Sequence, residues 1–140
     1  MLPLLSTLSP NTAILILTAG LALIAIEFNR PGSVLPGAIG LLLSLLAAAS
    51  LAVHHPHPGA ILVVIASMTA LLWQARSTLL WIIPAVATIL LVLSMATLLP
   101  STAEPEISRW VAVPCGLILG TGITVLTRIA RRARQNKGLD

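Results

Sequence analysis

Residues Thr12–Val53 read TAILILTAGLALIAIEFNRPGSVLPGAIGLLLSLLAAASLAV. Two apolar runs, Thr12 to Phe28 and Val34 to Val53, flank one short break, Asn29-Arg30-Pro31-Gly32-Ser33. A helix rises about 1.5 Å per residue, so a hydrocarbon core of about 30 Å takes roughly 20 apolar residues to cross. Both runs approach that length. Pro and Gly between them stop one helix before the next begins. Neither run alternates apolar with polar residues as a barrel strand does, and inside lipid only helices or closed barrels satisfy the backbone. The stretch therefore reads as a helical hairpin sized for a bilayer.

The rest of the chain repeats the pattern. Further apolar runs cover Gly59 to Trp73, Leu79 to Leu99 and Trp110 to Thr127. They are separated by His54-His55-Pro56-His57-Pro58-Gly59, Gln74-Ala75-Arg76-Ser77-Thr78 and Ser101-Thr102-Ala103-Glu104-Pro105-Glu106. Connections this short make successive helices antiparallel neighbours. Over all 140 residues, 57% are hydrophobic and 9% charged, with a mean hydropathy of +1.02. A soluble domain carries roughly 25% charged residues, and disorder needs low hydrophobicity, so both classes are excluded. The expected architecture is an all-α integral membrane protein of about five transmembrane helices in antiparallel hairpins. Its parts are a short N-terminal segment (1–11), a polytopic membrane domain (12–128) and a basic tail (129–140). Spans three and four leave a second possibility open, a re-entrant pair.

Charge sets the expected orientation. Of eight basic residues, five (Arg128, Arg131, Arg132, Arg134, Lys137) fall within ten positions after the last apolar run. Basic residues flanking spans favour the cytoplasm, which puts the C-terminus inside and the N-terminus outside, in the plasma (inner) membrane. Arg30 and Arg76 then lie in cytoplasmic turns, and Arg109 alone falls on the opposite side. The tail has the placement of a juxtamembrane anchor rather than a DNA-reading face, so no nucleic-acid partner is expected. Arg128, Arg131, Arg132 and Arg134 would meet anionic lipid or an acidic partner. The opening MLPLLSTLSPN lacks the basic n-region of a secretory signal, so none is expected. The single cysteine, Cys115, permits no intrachain disulfide.

Each candidate site has two readings. Glu27 closes the first span with Arg30 three residues on, a spacing at which the two can pair on a helix. It reads either as an interfacial carboxylate eased by Arg30 or as the proton- or cation-coupling group of a small transporter. His54, His55 and His57 invite a metal, but tetrahedral zinc needs three or four convergent ligands and the prolines oppose helical spacing. A His-rich polar loop is the plainer account, and no metal or cofactor is expected. No G-x-S-x-G elbow surrounds Ser33, Ser44, Ser50, Ser67 or Ser94, and Gly116-Leu117-Ile118-Leu119-Gly120 lacks the Lys and Ser/Thr of a P-loop. No catalytic residue is expected. Gly116 and Gly120, four apart, instead open a flat groove for a second helix, with Gly122 and Ala112 close to the same stripe; either a partner, such as a second copy, or this chain could fill it. The small run Ala47-Ala48-Ala49-Ser50 permits the same approach, and Pro84 predicts a kink in the fourth span.

The motif Glu27-Phe28-Asn29-Arg30-Pro31-Gly32-Ser33-Val34-Leu35-Pro36-Gly37-Ala38-Ile39-Gly40-Leu41 resembles the hairpin signature of the NfeD (nodulation-efficiency D) family membrane domain. There, a helix ending in an acidic residue leads into a P-G-x-x-x-P-G-x-x-G turn and a second helix. Glu27, Pro31, Gly32 and Pro36 carry the signature here, and Gly37 and Gly40 would let the second helix pack closely on the first. The likeness runs from about Ala13 to Arg134. It implies partnership with a stomatin/prohibitin-type (SPFH) membrane protein in a membrane assembly. It also implies a ClpP-like protease and an OB-fold in longer members, neither of which this sequence carries. The segment after Trp73 lacks the family's second Pro/Gly hairpin. The expected function is accordingly a non-enzymatic membrane subunit acting by helix packing.

Overall fold

A computed structural model describes residues 8–30, 32, 34–73, 82–99 and 107–136. Five helices follow one another: α1 (Pro10–Asn29), α2 (Leu35–Ala52), α3 (Pro58–Trp73), α4 (Ile82–Ala96) and α5 (Arg109–Gln135). Among the described residues there is no strand. By length and composition α1, α2 and α5 can cross a membrane, whereas α3 and α4 have 16 and 15 residues. At about 1.5 Å per residue the latter two measure roughly 24 and 22 Å, less than a full hydrocarbon core.

Local chemistry sets the boundaries. Ser9 caps α1, its hydroxyl accepting the Thr12 N–H at 3.2 Å, and Pro10 fills the first position, where no N–H is needed. At the other end Arg30 leaves the helical region (φ −129°, ψ 73°), as a residue preceding proline does. Gly32 then adopts φ +147°, a backbone that side chains rarely tolerate. After α2 the turn passes through His55 at φ 49° before Pro58 opens α3. α5 outruns its apolar stretch: the helix continues through Thr127 to Gln135, with Arg132 and Arg134 in its last turn, where cations suit the carbonyl end. The basic tail from residue 129 is thus helical as far as Gln135. Pro114, inside α5, does not interrupt it.

The helices pack in a chain of neighbours: α2 on α1, α1 on α5, α5 on α4 and α4 on α3, with α3 also touching α5. α1 and α5 run side by side in the same direction. Near their starts the Ser108 N–H donates to Asn11 Oδ1 at 2.8 Å, and towards their far ends Asn29 and Arg30 border a cleft shared with Ile129 and Arg134. At the α1 start, the His57 N–H also donates to the Leu98 carbonyl at 2.8 Å, joining the α2–α3 turn to the end of α4. The fully buried Leu71, Leu91 and Met95 belong to a core that continues through Leu119 and Ile123 of α5. Between lipid-embedded helices such interlocking contact, rather than escape from water, supplies the attraction.

Candidate functional site

The α1–α2 hairpin is the most tightly built part of the molecule. Its turn returns the chain so that the Glu27 carboxylate accepts a hydrogen bond from the Gly37 backbone N–H. Gly37 is the third residue of α2, so this N–H is one of the donors that no helical carbonyl can reach. α2 lacks a side-chain cap of its own at Val34. Glu27, ten residues earlier in sequence, takes that place and sets a negative charge against the positive end of the helix. At i, i+3 spacing the sequence allowed Glu27 to pair with Arg30 on a continuing helix. Arg30 has instead left the helix, and its backbone N–H bonds the carbonyls of Glu27 and Ile26. Glu27 is the one carboxylate among the described residues. A Cβ on Gly37 would strike the Glu27 carboxyl, so glycine at this position keeps the cap in place.

One turn and more below, the helices touch backbone to backbone. A Cβ on Gly40 would lie 2.6 Å from the Gly20 carbonyl oxygen and 3.0 Å from the Ile24 nitrogen. A Cβ on Gly20 would meet Ser44 Oγ at 2.5 Å and the Gly40 oxygen at 2.7 Å. Gly20 and Ser44 are the partners that sequence reasoning missed; the repeat Gly37/Gly40 was visible within one motif, but its counterpart on α1 carries no local signal. Ala47 and Ser50 of the small-residue run are buried, while Ala48 and Ala49 are exposed. Gly32 and Pro36 stand in the turn and the first turn of α2, whereas Pro31 lies outside the described residues.

The second glycine pair fits α4 of the same chain. A Cβ on Gly116 would sit 2.8 Å from the Val92 Cα, and one on Gly120 would sit 2.5 Å from Thr88 Cγ2. The face left open by the sequence between a partner and this chain is therefore filled from within. Gly122 points elsewhere, with nothing within 4 Å of its Cβ position. Pro84 occupies the third described position of α4, and its carbonyl accepts the Thr88 hydroxyl at 2.7 Å. Ser94, like several intramembrane threonines, bonds its own helix.

The remaining candidates are scattered or peripheral. His54 Nδ1 lies 3.3 Å from the Ser50 carbonyl oxygen, and His55 and His57 are exposed. Among the described residues no three His, Cys, Asp or Glu side chains come together as metal ligands. Cys115 is buried. Arg128, Arg132 and Arg134 are exposed on the end of α5, Arg131 is half-buried, and Arg30 stands at the same end of the bundle. Arg76, Glu104, Glu106 and Lys137 lie outside the described residues.

The hairpin geometry coincides with a family pattern. The NfeD integral membrane domain matches residues 11–129 of the 140. The chain belongs to this family. That membership, with its apolar helices, makes it a membrane protein. No curated protein and no solved structure matches the chain. Within the NfeD match fall the Glu27 cap, the Gly20/Gly40 crossing and the Gly116/Gly120 contact, all inside a single chain, while the match ends at residue 129 before most of the tail arginines. The domain therefore builds its own bundle with these elements. Whatever it presents to other molecules comes from the faces they leave open.

Proposed function

We propose that this NfeD-family chain is a non-enzymatic, multi-pass subunit of the plasma membrane that associates with a stomatin/prohibitin-type (SPFH) protein. Its N-terminus lies outside and its C-terminus in the cytoplasm. The observation that carries the reading is the position of α2. It is held rigidly by Glu27 and by the Gly20/Gly40 crossing, yet α1 is its only substantial neighbour among the described helices. Its opposite side presents Leu42 (68% exposed) and Leu45 (58% exposed) to the membrane. A helix fixed in position but open along one side is suited to receive a partner's helix, because little freedom is lost on docking.

The glycine face of α5 serves internal packing in this scheme, so the partner surface is the outer side of α2. The test is affinity purification of the intact protein in mild detergent, with mass-spectrometric identification of co-purifying chains. A stoichiometric SPFH-type protein supports the reading, and the pair Leu42→Ala with Leu45→Ala should then reduce its recovery at unchanged expression. Recovery of the chain without any such protein removes it.

A further inference from the structure

α1 and α5 do not close on each other along their whole length. Between them runs an apolar groove of about 290 Å³, bordered by Thr18, Ala22 and Ile26 on one side and Ile118, Gly122 and Leu126 on the other. Past Leu126 lies a second cleft of about 250 Å³, walled by Asn29 and Arg30 of α1 and by Ile129 and Arg134 of α5. Leu126 borders both, so the two lie end to end and are taken together as one channel along the helix pair. From Thr18 to Arg30 the helix rises roughly 18 Å, close to the depth of one leaflet of a bilayer about 30 Å thick. The channel is thus apolar towards the bilayer centre and cationic at one end. Arg30 and Arg134, from helices far apart in sequence, both line this end, and no described carboxylate lines it.

We propose that this channel binds one anionic glycerophospholipid. Arg30 and Arg134 hold its phosphodiester through charge-assisted hydrogen bonds, which the planar, five-donor guanidinium suits. One acyl chain lies along Ala22, Ile26 and Gly122. Basic pockets between membrane helices at the headgroup level select anionic lipids in this way. The polarity of the channel decides against a second copy's helix as occupant, since an apolar helix would strand both arginines against hydrocarbon. Gly122 matters because its missing side chain leaves the space open: it lies beside α1 but meets nothing within 4 Å of its Cβ position. This site is independent of the partner reading above.

The full-length protein, released from micelles containing equal phosphatidylglycerol and phosphatidylcholine, would be examined by native mass spectrometry. One retained phosphatidylglycerol per chain is expected, in clear preference to phosphatidylcholine. Arg30→Gln and Arg134→Gln should each lower its retention about fivefold, while the charge-matched Arg109→Gln, at the opposite end of α5, leaves it unchanged. Gly122→Leu, whose Cβ meets nothing within 4 Å and whose branched end is placed to occupy the groove, should lower retention of both lipids at parental helicity by circular dichroism. Equal retention of the two lipids by the parent overturns the proposal, as does an equal loss in Arg109→Gln, which would mean bulk attraction. A lipid-free dimer would assign the groove to a second copy. Should Gly122→Leu fail to fold, the arginine variants still decide.

Discussion

Glu27 sits at the end of a membrane helix, where a bare charge is expensive, and its carboxylate is answered by a backbone N–H at the start of the next helix. Such an acid near a helix N-terminus is worth about 0.3–1 kcal/mol, rising to about 2 kcal/mol when partly buried. Glu27→Gln keeps an acceptor but loses the charge. It should lower the thermal midpoint of the detergent-solubilised protein by roughly 2–6 °C, followed by circular dichroism. Proton or cation flux in proteoliposomes should be absent from parent and variant alike; flux in the parent that vanishes in Glu27→Gln would place the carboxylate on a transport path instead. The glycines nearby separate two kinds of constraint. Gly37→Ala pushes against the movable end of the Glu27 side chain and should cost no more than the cap itself. Gly40→Ala pushes against the Gly20 backbone, which cannot step aside, and should cost more, in the range of about 1–3 kcal/mol for an overpacked contact. Equal midpoints for the two alanine variants would mean that the helices separate freely. The sequence showed that this acid and these glycines mattered, but not to whom. Spacing along a helix suggested Arg30 for Glu27, because the i, i+3 rule assumes that the helix continues. Pro31 is the reason that it does not, and the true partner stands ten residues on, across a turn.

Elements were legible where periodic apolarity and Pro/Gly breaks agree. The four boundaries of α1 and α2 fall within about two residues of those read from composition, because a capping serine, two prolines and a left-handed glycine all act locally. α5 was read short. Hydropathy ends at Thr127, yet helix propensity does not, and Arg, Ala and Gln extend the helix into the basic segment. Which helix faces which is a different kind of information. Gly116 and Gly120 announce a close approach, but the groove they make is the same whether α4 or another chain enters it. The structure puts Val92 and Thr88 there. Gly116→Leu or Gly120→Leu should therefore disrupt the α4–α5 contact of the chain itself. The expected result is loss of cooperative unfolding, or a midpoint fall larger than that of Glu27→Gln, in a protein that still inserts. A well-folded Gly116→Leu variant with only its complex size reduced on native gels would return this face to a partner. Gly122→Ala, six residues from Gly116 on an open face, serves as the control: without contact to disturb, it should be neutral or raise the midpoint, since alanine favours helix by up to about 1 kcal/mol.

For the molecule as a whole, the bundle gathers its charges by end. Arg30, after α1, and the arginines closing α5 share one end, while His57, Leu98, Ser108 and Arg109 share the other. The basic end should face the cytoplasm. That is an arrangement composition alone could suggest, because sidedness follows from charge count. Whether α3 and α4 cross is not, since their 16 and 15 residues fall short of a full span and residues 74–81 lie between them. Electrostatics gives the expectation that cysteine labelling tests. In a re-entrant pair Arg76 would rest at depth in hydrocarbon, at a cost of about 2.5–3.5 kcal/mol, whereas a slight local thinning that lets both helices cross costs fractions of a kcal/mol per Å. Crossing is the expected solution on this ground, and it would put Arg76 at the cytoplasmic surface. Cysteines introduced singly at Asn136, Arg76 and His57 make the point measurable, because Cys115 is buried and should stay silent. A membrane-impermeant maleimide should label His57→Cys in intact cells, and Asn136→Cys and Arg76→Cys only after the membrane is opened. Labelling of Asn136→Cys in intact cells would invert the whole bundle. Protection of Arg76→Cys under both conditions, with Asn136→Cys behaving as expected, would make α3 and α4 a re-entrant pair and leave α1, α2 and α5 as the helices that span.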